Sequence, residues 1–477
     1  MRLVSLRPAE HQNGGVILSR HISRARGYLS SDGLGPFLVR SVAGTGAVRG
    51  AAMVASFAVG VLLARRLGVQ GFGYYSIAYA VITIASIPGE FGLPFLVTRE
   101  VASAAAVADD AKLFGVIRWA TGMCLLVAGG VGLAVLVGGA VAYAAGSRLV
   151  GAALLLGAPV IPLIALAKVR SSSLQGLNHI VLGQIPPNLL RPLFFALLLG
   201  LAWLAGMRLS APLALALQTV AAAAVLAVAY IWLKRRLPAN VPPETVRSGR
   251  QWLASTVPLG LMGGIQIVQP ESAILLLGLL ASPASVGLLR IANSTMQIAA
   301  GGISVLNEVA MPVMARLYAQ GDRERLQKTV TSVARAQFGA TVLISIPLLL
   351  FPRVLLSFAF GAEFAPASTA LMILMVGQIA NAAFGPNAWL LNMTHHERQV
   401  AWAMGIGLGV TVVLVPPLAL MWGVSGAAVG LLASMLTWNV IAWHDARKHL
   451  GIETSILRWT WFDAASKRRS AAGEHND

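Results

Sequence analysis

Apolar runs of about 20 residues recur along this chain, and a helix of that length is what about 30 Å of hydrocarbon requires. They fall at 42–64, 72–97, 114–145, 150–167, 182–204 and 212–233, and again at 252–280, 286–314, 338–360, 367–391, 400–421 and 424–443. Six runs precede a polar stretch near the midpoint and six follow it. A water-soluble fold is excluded on the same ground: only 11% of residues are charged and 57% are hydrophobic, whereas a soluble domain carries about 25% charged residues. The expectation is an all-α polytopic membrane protein with about twelve spanning helices, because only helices and closed barrels satisfy their backbone inside lipid.

The formal net charge of +18 does not point to nucleic acid, because the cations lie between apolar runs. With both termini placed in the cytoplasm, roughly 27 Lys and Arg fall on that side and about 5 on the other, the asymmetry that sets membrane orientation. Arg65 and Arg66 run against it at the outer end of the first span. The expected organisation is a cytoplasmic tail at 1–39, a first six-helix half at 40–233, a cytoplasmic linker at 234–250, a second half at 251–447 and a cytoplasmic tail at 448–477. The first 39 residues carry five arginines but no early apolar core with a cleavage site, so they are read as a tail and not as a signal peptide.

The equal halves call for an internal repeat. Gly73, Ile77, Ala78, Ile84 and Ala85 in the second run match Gly287, Ile291, Ala292, Ile298 and Ala299 in the eighth without a gap. Six helices per half bring both repeats in from the same side, which implies a two-fold axis along the membrane normal with a cavity between the halves. Prolines inside the runs, including Pro88, Pro186, Pro187, Pro347, Pro416 and Pro417, each remove a backbone donor and bend a helix. The single cysteine, Cys124, excludes an intrachain disulfide.

Particular residues then narrow the reading. Leu63-Ala-Arg-Arg-Leu-Gly68-Val-Gln-Gly71-Phe-Gly73-Tyr, leading to Phe91-Gly-Leu and Thr98-Arg-Glu100, resembles the start of polysaccharide biosynthesis flippases of the multidrug/oligosaccharidyl-lipid/polysaccharide exporter superfamily. Leu174-Gln-Gly-Leu-Asn178, Gly361-Ala-Glu-Phe364 and Trp422-Gly-Val-Ser-Gly426 fit the same family. The resemblance implies a MATE-like, V-shaped bundle with a central cavity in a bacterial inner membrane. It also implies a cargo, undecaprenyl-pyrophosphate-linked oligosaccharide, carried from the cytoplasmic to the outer leaflet for O-antigen, capsule or exopolysaccharide assembly. A polysaccharide polymerase and a chain-length regulator are the implied partners, beside membrane lipids.

Charges within spans are costly and are the first functional candidates. Arg49, Arg191 and Arg290 are expected to line a cationic cavity, since an arginine fork matches phosphate oxygens; Arg118 stands near a helix start and is expected to snorkel. Glu90, Glu271 and Glu308 are candidates for ion pairing or coupling, with Arg49–Glu90 and Glu271–Arg290 as possible plain salt bridges. Arg191 has no acid in its own or the following span. His395, His396 and Glu397 are adjacent and lack metal-ligand spacing. Asn392-Met-Thr394 matches a glycosylation pattern but falls at a cytoplasmic helix end. No catalytic set, nucleotide-binding loop or cofactor motif is expected. The alternatives are an ion-coupled multidrug exporter of the same superfamily, which favours buried acids, and a non-transporting scaffold of an envelope assembly complex.

Overall fold

The structure is a computed structural model that describes residues 34–238 and 249–456, with the side chains of 34–43, 250–251, 254–263, 266, 302, 305, 308 and 309 outside the described set. The distal part of the expected N-terminal tail, most of the linker and 457–477 also lie outside it. Among the described residues the chain is helical and contains no strand. α1 (Leu34–Glu90) is interrupted at Gly68, and α2 (Leu93–Ala106), α3 (Asp110–Ala144), α4 (Arg148–Gly157) and α5 (Val160–Gly176) follow. α6 (Ile180–Ile185) runs through a π turn, Pro186–Leu190, into α7 (Arg191–Leu204). α8 (Ala211–Lys234) ends the first half.

The second half holds α9 (Gly249–Leu280), α10 (Pro283–Ala319), α11 (Arg323–Leu350) and α12 (Pro352–Phe360). After a 3₁₀ turn come α13 (Ser368–Phe384), α14 (Asn387–Met393) and α15 (Glu397–Asp445). Among the described residues eight stretches are long and apolar enough to cross a membrane, and two of them, Gly44–Ala106 and Glu397–Leu450, are 63 and 54 residues long. At 1.5 Å per residue either would far exceed the bilayer if straight. Each instead folds back at a glycine, Gly68 or Gly423, whose φ of 65° or 57° breaks the helix. With α9 and α10 added, the arrangement accommodates twelve crossings. The chain is already helical at Leu34, the first described residue, ahead of the span expected from hydropathy.

The two halves meet where α1 packs along α10 and against α9. At this seam lie two positions matched by the internal repeat, Gly73 and Gly287. A β-carbon on Gly73 would lie 1.7 Å from the Pro283 carbonyl oxygen, and one on Gly287 would lie 2.5 Å from that of Val69. Only glycine lets the backbones come so near.

A second clasp on the same side explains the two arginines that run against the charge rule. The Arg65 guanidinium donates to the Phe358 carbonyl and, at 2.7 Å, to that of Ala359, capping the C-terminus of α12. In return Glu363 accepts from the Val69 amide at 3.1 Å, where the helix restarts after Gly68. Arg66 lies 4.4 Å from the centre of the Trp203 ring, a cation–π contact. Both side chains are used in joining elements, so their position at this end of the bundle follows from packing.

Candidate functional site

A cavity of about 690 Å³ lies between α1, the α6–α7 helix, α8 and α10, within the size range of small-molecule sites. α1 presents Arg49, Met53, Ser56, Gly60 and Leu63 to it, a spacing of four and three that keeps one helical face turned inward. Tyr75 and Tyr79 continue the wall after the Gly68 break, one turn apart on the same face. Their rings stack with centroids 5.7 Å apart, and Phe72 stacks on Tyr75 at 6.1 Å.

Arg191 enters the cavity at a backbone irregularity. Pro186 and Pro187 each lack an amide donor, and the helix widens into the π turn Pro186–Leu190 just before Arg191, with Pro192 following. π turns of this kind occur frequently at functional sites. Arg191 Nη2 donates to the Tyr79 hydroxyl at 3.2 Å, and among the described residues no carboxylate stands within ion-pairing distance of it. Arg290, from α10, faces the same tyrosine with its guanidinium 5.1 Å from the ring centre. Its Nη1 donates to Glu271 Oε2 at 2.7 Å. Tyr79 therefore holds two arginines, one through its hydroxyl and one through its π face. Tyr75 is anchored in turn, donating to Gln218 Oε1 at 2.8 Å.

The cavity gathers all three arginines singled out from the sequence, because Arg49 lines it too. Among its described lining residues there is no carboxylate. Glu271 does not line the cavity and neutralises part of Arg290. A guanidinium has five N–H donors in a planar fork, so the described lining supplies convergent cationic donors, of which Arg191 has no described carboxylate beside it. This suits an anion with several acceptor oxygens, such as a pyrophosphate.

The other acids resolve differently. Glu90 does not pair with Arg49 among the described residues; it is bonded to Lys168 on α5. Lys168 is the residue just past the fourth apolar run, where a hydropathy boundary had placed it outside the membrane. The Glu308 side chain lies outside the described residues. Cys124 is buried. Among the described residues no group of three His, Cys, Asp or Glu side chains could hold a metal.

The family model of polysaccharide biosynthesis proteins matches residues 38–318, more than half of the chain. The chain belongs to this family. No curated protein matches its sequence. Solved structures of the multidrug/oligosaccharidyl-lipid/polysaccharide superfamily share its fold at low identity. An inward-facing multidrug resistance MATE transporter aligns with TM-score 0.67 and 12% identity, over 84% of this chain and 94% of its own. The lipid II flippase MurJ, in an inward closed conformation, aligns with TM-score 0.61 and 13% identity, over 83% and 86%. A superfamily transporter from Pyrococcus furiosus, described as having a binding pocket of reverse polarity, aligns with TM-score 0.62 and 11% identity, over 87% and 96%. For a member of the polysaccharide biosynthesis family this establishes a multi-pass membrane protein of the MATE and MurJ fold.

Tyr75 and Tyr79 were missed in the sequence. The chain has only 7 tyrosines, and two of them one turn apart within an apolar span were the available signal, since a buried hydroxyl needs a partner. Lys168 carried a weaker one, a cation three residues before the small polar run Ser171–Ser173, with Arg170 between them.

Proposed function

We propose that this protein flips a polyprenyl-pyrophosphate-linked oligosaccharide from the cytoplasmic to the outer leaflet, as a step in assembling a surface polysaccharide. The carrying observation is the convergence of Arg49, Arg191 and Arg290 on one cavity whose described lining has no carboxylate. An anion drawn into a membrane needs fixed positive charge to replace its water, while the prenyl chain stays in lipid at no comparable cost. An exporter of cationic drugs would need the opposite polarity. Membership of the polysaccharide biosynthesis family supports the same cargo.

In this reading both termini and the central linker are cytoplasmic, the membrane is a bacterial inner membrane, and the six-helix halves rock about the cavity. The glycine contacts and the Arg65–Glu363 clasp close the outer side, so the cavity loads from the cytoplasm. Polymerase and chain-length regulator act on the cargo after it crosses. The test is deletion of the gene in its own host. Lipid-linked oligosaccharide should accumulate in the cytoplasmic leaflet with loss of the surface polymer, and an unchanged distribution would reject the proposal.

A further inference from the structure

A second cavity, of about 350 Å³, lies in the other half, between α9, α10, α13, α14 and α15. Its chemistry is unlike the first. Eight of its lining side chains are Asn or Gln, two are Trp389 and Trp438, and among the described residues none is ionisable. The two cavities share Gln297 and Ser304 on α10, so they adjoin along that helix.

A purely structural set of amides would be mutually satisfied, and part of this set is. Asn387 Nδ2 donates to Asn439 Oδ1 at 3.1 Å, Gln269 Nε2 donates to Ser434 Oγ at 3.0 Å, and Gln337 bonds Asn307. Two members are not. Gln378, 2% exposed, has an Nε2 with no hydrogen-bond partner, and Asn392 has an Oδ1 with none. A buried amide atom without a partner is costly, and both residues line the cavity. One is a donor and the other an acceptor without a protein partner, the two functions that sugar hydroxyls use.

We propose that this cavity is the glycan subsite and that it selects uncharged sugars, a proposal that rests on the pyrophosphate reading of the first cavity. Amides pair with hydroxyl and acetamido groups, and the flat faces of Trp389 and Trp438 suit the C–H face of a pyranose ring. A uronic acid would lose its hydration here without meeting a counter-charge among the described residues. The division of labour is then physical: the arginines hold the group common to every lipid-linked sugar, and the amide cavity reads the sugar.

The experiment measures binding of three probes to the full chain in detergent: farnesyl pyrophosphate, the same pyrophosphate bearing N-acetylglucosamine or glucose, and the same bearing glucuronate. A neutral sugar should tighten binding at least tenfold over the bare pyrophosphate, and glucuronate should not. Gln378→Leu and Trp389→Leu should each remove at least threefold of that gain while leaving the bare probe unaffected, whereas Arg191→Ala should weaken all probes alike. Gln378→Leu deletes an unpartnered amide and is expected to fold, so the test survives if Trp389→Leu does not. Bare pyrophosphate binding with no gain from any neutral sugar, with an equal gain from glucuronate, or with a gain indifferent to Gln378→Leu overturns the subsite alone. No binding of any probe overturns the pyrophosphate reading and the subsite together.

Discussion

Gly73 lies against Pro283 so closely that a β-carbon at position 73 would fall 1.7 Å from the Pro283 carbonyl oxygen. The reciprocal contact, Gly287 on Val69, is its equivalent under the internal repeat, because Val69 precedes Gly73 by the same interval as Pro283 precedes Gly287. A contact in which each partner repeats the other's role is what a two-fold axis produces. The axis thus runs beside this pair, and at this end of the bundle the halves are joined through glycine.

Gly73→Ala should therefore destabilise the protein more than Gly287→Ala, whose β-carbon has 2.5 Å to its nearest atom. Overpacking of this kind costs about 1–3 kcal/mol, and the blocking atom at position 73 is backbone that cannot swing aside. Thermal unfolding of the two purified variants checks the order; a Gly73→Ala variant that melts with the unaltered protein would mean that the halves are not in contact there.

Tyr79 separates the roles of ring and hydroxyl. Tyr79→Phe keeps the face beneath Arg290 and loses the acceptor for Arg191, whereas Tyr79→Leu loses both. A cation–π contact is worth about 0.5–2 kcal/mol. Transport, measured as clearance of lipid-linked oligosaccharide from the cytoplasmic leaflet, should fall slightly in the first variant and at least tenfold in the second. Equal activity in both would show that Tyr79 does not organise the arginines.

Glu90 and Lys168 should behave as a structural pair. Glu90→Gln or Lys168→Met alone should lower the melting temperature, and the double variant should recover most of the loss, because the charge left without a partner is the main cost. The single losses should fall below the ~3–5 kcal/mol of a fully buried pair, since the Lys168 side chain is 34% exposed. Additive losses in the double variant would contradict the pairing.

These residues also mark where the sequence was legible. Hydropathy revealed the spans because lipid penalises every polar group in them, and the same penalty made Arg49, Arg191 and Arg290 conspicuous. The repeat was visible at Gly73 and Gly287 because the contact tolerates no side chain. Glu90's partner was not legible: Lys168 stood at a hydropathy boundary, and helix-to-helix pairing is tertiary. The amide cavity was harder still. Gln269, Gln378 and Asn392 are scattered over three helices and carry no charge, so nothing in a linear reading sets them apart, and Asn392 drew notice only through a glycosylation pattern.

The most direct measurement is transport in cells bearing alanine and lysine variants of Arg191 and Arg290, with membrane protein levels measured alongside. A lysine keeps the charge but not the planar fork that spans two phosphate oxygens. The expected result is that lipid-linked oligosaccharide accumulates in the cytoplasmic leaflet for both substitutions at each position, at normal protein levels. Normal surface polysaccharide in the alanine variants at normal expression would contradict the cationic cavity as the carrier of the cargo.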